Sequence, residues 1–315
     1  MTTPHLTSGP RGVPTRPLHE RQLDADMIQL QRAASASHQR GQLIEAIRNA
    51  AALGLAILGL IVTAVGHGRA LSALLGASWF IISLFVLKNV MARTAKQGAL
   101  LQEQFDTTLF DLPWRRTVVG DPLADHDVAR LARRLTIDGI RDQRITSGWY
   151  DPTSGVHHPY DVLISQEQNL AWDARLRRTY AAKILSAAIL WGATGVVIAV
   201  VTGTTITNIL LSFYTPSLAA LQLAHEIWAG QRRVADERER LAKIVNTELR
   251  DGQPGPVPED ERLRLRDVAR DLQDGIFRTR LDVARVPEWL YRFHRGSDEA
   301  DFSDAAERHR RRLAA

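Results

Sequence analysis

Four stretches of the chain are almost wholly apolar: Ala46 to Val65, Ala70 to Leu87, Ala181 to Val201 and Thr205 to Ala224. Each approaches the roughly 20 residues that cross a bilayer core. Lys183, near one end, is the single Asp, Glu or Lys among them. A buried helix of a soluble domain keeps a polar stripe on its outer side, so this texture predicts four transmembrane helices rather than two hairpins buried in a soluble core. The tiny connections His67-Gly68-Arg69 and Thr202-Gly203-Thr204 join them in pairs.

The polar remainder divides around these hairpins. Residues 1–20 are rich in Pro, Thr and Gly and read as a disordered leader, and 21–45 as an N-terminal cytoplasmic helix. The hairpins occupy 46–87 and 181–224, separated by a cytoplasmic connecting region, 88–180. A C-terminal helical region, 225–294, and a charged tail, 295–315, complete the chain. No Gly or Pro follows Leu87 before Gly98 and Pro113, so the second span is expected to project into the cytoplasm. A further helix is expected to start near Ser165 and run into the third span. Between them, Val128, Leu131, Leu135 and Ile140 oppose Arg130, Arg133, Arg134 and Arg141, an amphipathic pattern.

Beyond the fourth span, Leu223, Ile227, Gly230, Val234, Glu237, Leu241 and Ile244 keep a 4-3-4-3 spacing. That spacing fits a coiled-coil seam or a helix lying on the chain's own cytoplasmic domain. The fold class predicted is an all-α membrane protein: four transmembrane helices in two hairpins, with long helices extending into an α-helical cytoplasmic region.

Charge orients the hairpins. Arg32, Arg40 and Arg48 lead into the first span, Lys88, Arg93 and Lys96 follow the second, Arg175, Arg177 and Arg178 precede the third, and Arg232 and Arg233 follow the fourth. Basic flanks stay cytoplasmic, which places both termini and the connecting region inside the cell. The net charge of +5 is then accounted for by these flanks, and no direct DNA binding is expected. The first apolar stretch starts behind a polar segment containing Pro10, Pro14 and Pro17, so no cleaved signal peptide is expected. The absence of cysteine excludes disulfides, thiolate metal sites and a Cys nucleophile.

Lipid gives spans no hydrophobic reason to associate, so small residues mark close contacts: Ala46, Ala50 and Gly54, Ser72 and Gly76, Gly192 and Gly195. The fourth span also carries a polar edge, Asn208, Ser212, Thr215, Ala219, Gln222 and Glu226. Polar groups in a span face the bundle interior or a water-filled cavity. Asn208, Ser212, Thr215 and Gln222 are therefore candidate pore-lining residues, and the other reading makes them cross-links in a closed bundle. Four spans enclose little, so a conducting path would form between copies in a homo-oligomer.

Catalytic chemistry finds no support. Glu103 and Asp106 share a helix face but read as a solvated helix end, and His157-His158 lacks a second cluster at metal-ligand spacing. Nucleotide-binding P-loops, Gly-x-Ser-x-Gly, His-Glu-x-x-His and kinase signatures are absent from the sequence. The chain is read as a non-enzyme without cofactor or metal. Recognition fares better: Trp149, Tyr150, Trp172 and Tyr180 lie among Arg141, Arg144, Arg175, Arg177 and Arg178. Rings for base stacking beside guanidinium groups for phosphate suit a nucleotide, and the same mixture suits a membrane-interface belt. Trp149, Tyr150, Arg175 and Arg177 are the candidate ligand contacts.

Several strings carry a resemblance: Glu103-Gln104-Phe105-Asp106-Thr107-Thr108-Leu109-Phe110-Asp111-Leu112-Pro113-Trp114, Gly148-Trp149-Tyr150, Gln166-Glu167-Gln168-Asn169-Leu170-Ala171-Trp172-Asp173, and Gln273-Asp274-Gly275-Ile276-Phe277-Arg278-Thr279-Arg280. With Val286-Pro287-Glu288-Trp289-Leu290-Tyr291 they resemble the SMODS-associated four-transmembrane family of pore-forming effectors over roughly Gln42 to Tyr291. Many relatives carry Cys where this chain has Ser165, so the resemblance implies no thiol role here. It implies a part in bacterial anti-phage defence, in which a CD-NTase nucleotidyltransferase makes a cyclic oligonucleotide and an inner-membrane effector responds. The catalysis would belong to that partner. A non-conducting receptor or scaffold recruiting cytoplasmic partners is the alternative; a membrane-bound hydrolase ranks below both.

Overall fold

The computed structural model describes residues 14, 16–65, 69–135, 145–282, 286–287, 290 and 306–314, and all regular structure among them is helical. A short α1 (Leu18–Arg21) precedes α2 (Ala25–Val65). The chain returns as α3 (Arg69–Ile82), passes through a π-helical turn at Ser83–Leu87 and continues as α4 (Lys88–Leu109). Short α5 (Arg116–Val119) and α6 (Asp125–Ala132) lead to α7 (Tyr160–Thr202). The second return is α8 (Ile206–Ile209), a π-helical turn at Leu210–Tyr214 and α9 (Thr215–Asp251), followed by α10 (Glu259–Asp282).

The two outgoing helices, α2 with 41 residues and α7 with 43, contain no proline and run unbroken. At 1.5 Å per residue they are about 60–65 Å long, twice the ~30 Å hydrocarbon core. Each is therefore long enough to serve a polar body and an apolar layer in one rod. Gly203 ends α7 in the left-handed conformation (φ 63°) that favours glycine at this position. Helix α7 begins at Tyr160 rather than near Ser165, and the Ser165 hydroxyl donates to the Asp161 carbonyl (2.9 Å) inside the helix instead of capping it.

In the polar body, α2 packs on α4 and α6, α7 and α9 run side by side, and α10 lies across α4, α7 and α9. Leu101 and Leu109 of α4, Leu163 and Leu170 of α7, and Leu265 and Ile276 of α10 share one core. Each such side chain contributes roughly 1.5–3 kcal/mol by leaving water. The seam beyond the fourth apolar stretch uses Val234, Leu241, Val245 and Leu249, whereas Ile244 is 39% exposed. Its partners belong to the same chain, so of the two sequence readings the helix lying on its own domain is the one observed. Val128 and Leu131 of α6 are buried as their pattern predicts, while Ile140, Arg141 and Arg144 lie outside the described residues.

Many of the described side chains in the apolar stretches point outward: Val200 is 77%, Val201 78% and Ile206 78% exposed. Among the described residues one helix, α7, has the length and composition to cross a membrane. The second apolar stretch ends in a π turn and the fourth is divided by one, so neither forms one long α-helix. Gly195 supports the expected close contact, since a Cβ there would stand 2.7 Å from the Phe213 ring. Around it, Tyr214 donates to the Gly192 carbonyl (2.7 Å), Trp191 Nε1 donates to Ser217 Oγ (2.9 Å), and the Trp191 and Phe213 rings stack at 5.2 Å. At Gly54, Gly76 and Gly192 no such neighbour is present among the described residues.

Candidate functional site

The strings singled out in the sequence converge in the body. Helix α4 brings Glu103 and Asp106, α10 brings Arg270, Gln273, Asp274 and Arg280, and the loop before α7 brings Tyr150. Helical spacing explains the alignment, since 103 and 106, and 270, 273 and 274, fall on single faces. The loop is pinned by Gln22, whose Oε1 accepts from the Trp149 and Tyr150 amides (2.8 and 2.9 Å) and whose Nε2 donates to the Tyr150 carbonyl (2.9 Å). Gly148 is required beside it: φ is +100°, and a Cβ would meet the Gln22 amide at 2.7 Å.

Within the cluster Arg270 donates to Glu103 (2.7 Å) and Asp274, and Arg280 donates to Asp106 (2.6 Å). Gln273 Nε2 donates to Glu103 Oε2 (2.9 Å) and Asp106 Oδ2 (3.0 Å), and the Tyr150 hydroxyl donates to Asp106 Oδ1 (2.9 Å). Gln166 of α7 joins through the Ala269 carbonyl (2.8 Å) and Gln273 Oε1 (3.2 Å). Arg115 closes the outer side on Asp271 (2.6 Å) and Asp274 (2.7 Å). Glu103 and Arg270 are fully buried, so the expectation of a solvated helix end at Glu103 and Asp106 is overturned. Carboxylates survive burial here because guanidinium groups and amides answer them.

Electrostatics follow from that burial. Desolvation pushes the Glu103 carboxyl upward against the pull of Arg270 and Arg280. Burial, joined by the charge of Asp106, raises the Tyr150 phenol far above its ordinary range and keeps it a donor. Burial alone depresses Arg280, but Asp106, Tyr150 and Glu103 outweigh it and hold the guanidinium charged. Its Nη1 has no hydrogen-bond acceptor among the described residues, and the Glu103 carboxylate stands 3.9 Å from it.

Beside Arg280 lies a cleft of roughly 40 Å³. Gln31, Ala34, Ser35 and His38 of α2 form one wall; Gln102, Trp149, Asn169 and Arg280 stand among the residues opposite. Trp149 is 39% exposed and forms the rim.

The structure separates the four candidate ligand contacts. Trp149 lines the cleft, and Tyr150 is buried behind it against Phe105 and Phe110. Arg177 belongs to a different cluster, between α7 and α9, where it donates to Asp173 (2.5 Å) and Gln231 (2.6 Å) while Arg238 pairs with Asp173 at 2.9 Å. Arg175 is exposed on α7. Of the candidate pore-lining residues, Asn208 and Gln222 are exposed, and Gln222 donates to Glu226 (3.2 Å). The side chains of Ser212 and Thr215 lie outside the described residues. Sequence reasoning did not assign roles to Gln22, Arg270, Gln273 or Arg280; the available signal was uncharged Gln and Gly interrupting a charged helix at 273 and 275.

Comparison with known proteins gives a consistent picture. The model of a family described as the SMODS-associating 4TM effector domain matches residues 16–309. A protein of Bacillus cereus (strain VD146), named a probable CBASS effector molecule, is 20% identical over 288 residues, 89% of this chain and 94% of that protein. No solved structure matches.

Proposed function

Because the chain belongs to the SMODS-associating 4TM effector family, we propose that it is the membrane effector of a CBASS-type anti-phage system. A cyclic oligonucleotide made by a CD-NTase binds the cytoplasmic body, and the inner membrane is breached by a pore or by disruption. No catalytic step falls to this chain.

The observation that carries the proposal lies within α7. Its first turns, Tyr160 to Ile164, are buried in the polar body, whereas Leu190, Val200 and Val201 farther along are 67–78% exposed. Apolar surface of that extent on a rod that starts in a packed body fits a membrane-anchored cytoplasmic domain. The same outward pattern at Ile47, Ile61, Leu74 and Phe85 supports two hairpins and four spans, and the basic flanks support cytoplasmic termini. Asn208 and Gln222 are exposed on the single chain, and polar residues within a span ordinarily face the bundle interior or a water-filled cavity. Assembly into a homo-oligomer covers them and, with Ser212 and Thr215, gives a water path a polar lining. Even a narrow leak is consequential, because about 2.3 kcal/mol per charge is available at 100 mV.

Dye-loaded liposomes carrying the purified protein test this reading. Cyclic di- and trinucleotides are added outside vesicles in which the body faces out. Release with at least one nucleotide is expected. Nucleotide binding without release from any vesicle would favour the non-conducting receptor or scaffold.

A further inference from the structure

We propose that the cleft beneath Trp149 seats a nucleobase of the activating ligand, and that seating it displaces α2; the inference rests on the proposal that a nucleotide binds this body. Arg280 lines the cleft, with a side chain 7% exposed and an Nη1 that lacks an acceptor among the described residues. A buried donor left without an acceptor is costly, so a ligand atom that accepts from it gains more than an ordinary hydrogen bond.

Charge selects which part of a nucleotide enters. Asp106, 2.6 Å from Arg280, also lines the cleft, and Glu103 stands behind at 3.9 Å. The positive charge of Arg280 is thus already answered, and a phosphate placed there would face Asp106. A neutral planar group with a carbonyl or ring nitrogen meets no such repulsion. The Gln102 amide offers a donor and, once His38 is released, an acceptor for its edge, and Trp149 at the rim offers a face for stacking. The base goes in, and the phosphates stay toward solvent.

Volume supplies the coupling. At roughly 40 Å³ of space accessible to water the cleft holds a few waters, each needing about 10–15 Å³ of it, and is smaller than a nucleobase. A base enters only if a wall moves. Gln31, Ala34, Ser35 and His38 follow i, i+3, i+4, i+7 spacing, so one whole wall is a single face of α2. It is latched by His38 Nε2 to Gln102 Oε1 (3.2 Å), with His38 filling the space over Gly98. Helix α2 continues without a break to Val65, so parting it from α4 in the body shifts the first apolar stretch.

Equilibrium dialysis of the full chain in detergent, against a panel of cyclic di- and trinucleotides of the four common bases, tests the site. Trp149→Ala should weaken the bound nucleotide about tenfold or more, the loss of one stacked base. Trp149→Phe should stay within about threefold, since it keeps a face to stack on. Ser35→Trp, which fills the cleft from the α2 side, should abolish binding, and the exposed Lys243→Ala should leave it unchanged. The Trp149 effect should also be the same at low and high salt. Unchanged melting temperatures identify variants that fold. A nucleotide bound equally by wild type, Trp149→Ala and Ser35→Trp would overturn the site while leaving nucleotide binding intact. A wild type that binds nothing in the panel would remove the functional proposal and this one with it.

Discussion

The two ends of α7 solve different problems. At Tyr160–Leu170 the helix is buried among α4, α9 and α10, and its Gln166 is hydrogen-bonded into a cluster of carboxylates and guanidinium groups. At Leu190–Val201 the side chains point outward, and what holds α7 to its return helix is shape: Gly195 under the Phe213 and Tyr214 rings, Trp191 on Ser217. In water, burying apolar surface is available everywhere, so specificity in the body comes from polar pairs that tolerate no wrong partner. Where apolar groups face outward on all sides, close fit and a few hydrogen bonds must do the same task.

The sharpest way to break that contrast is Arg270→Met. It strips Glu103 and Asp274 of a buried partner and should cost about 3–5 kcal/mol in chemical unfolding of the detergent-solubilised protein. A loss under about 1 kcal/mol, the level of an exposed pair, would mean the cluster does not hold the body. Gly195→Leu should cost about 1–3 kcal/mol by overpacking against Phe213, and an undiminished melting temperature would show that this contact is absent. The smallest effect is expected at Glu167, buried with Asn246 as its polar neighbour at 3.4 Å. Burial raises its carboxyl above 4.5. Its contribution to stability is therefore fully present below the ordinary carboxylate range and lost as pH rises through the raised value. Glu167→Gln should gain on the wild type between pH 5 and pH 8, and a melting-temperature difference that is flat or reversed would contradict the sign.

Much of the architecture was legible because it depends on local pattern. The apolar runs, the projection of α4 beyond Leu87 and of α9 beyond Ala224, and the fusion of α7 with the third stretch all follow from uninterrupted helical composition. The buried cluster was hidden because a helix bearing Glu103 and Asp106 looks solvated until the cations of α10, far along the chain, are placed against it. Arg177 misled for the converse reason: beside Trp172 it resembles a ligand contact, yet Gln231 and Asp173 are within reach on α9 and α7. Trp149 was legible as a candidate, but Arg280, which lines the same cleft, was not, since only the fold brings residues 149 and 280 together.

Both return helices carry a wide turn, Ser83–Leu87 in one and Leu210–Tyr214 in the other. A π turn accommodates one residue more than an α turn, and one residue corresponds to about 100° of rotation about the axis. Everything downstream is therefore held at an azimuth that a regular helix would not give. In the second hairpin this angular setting decides whether Gln222 and Glu226 stand beside α7 or away from it, and a single deletion within Leu210–Tyr214 would dial them round by more than a quarter of a circle.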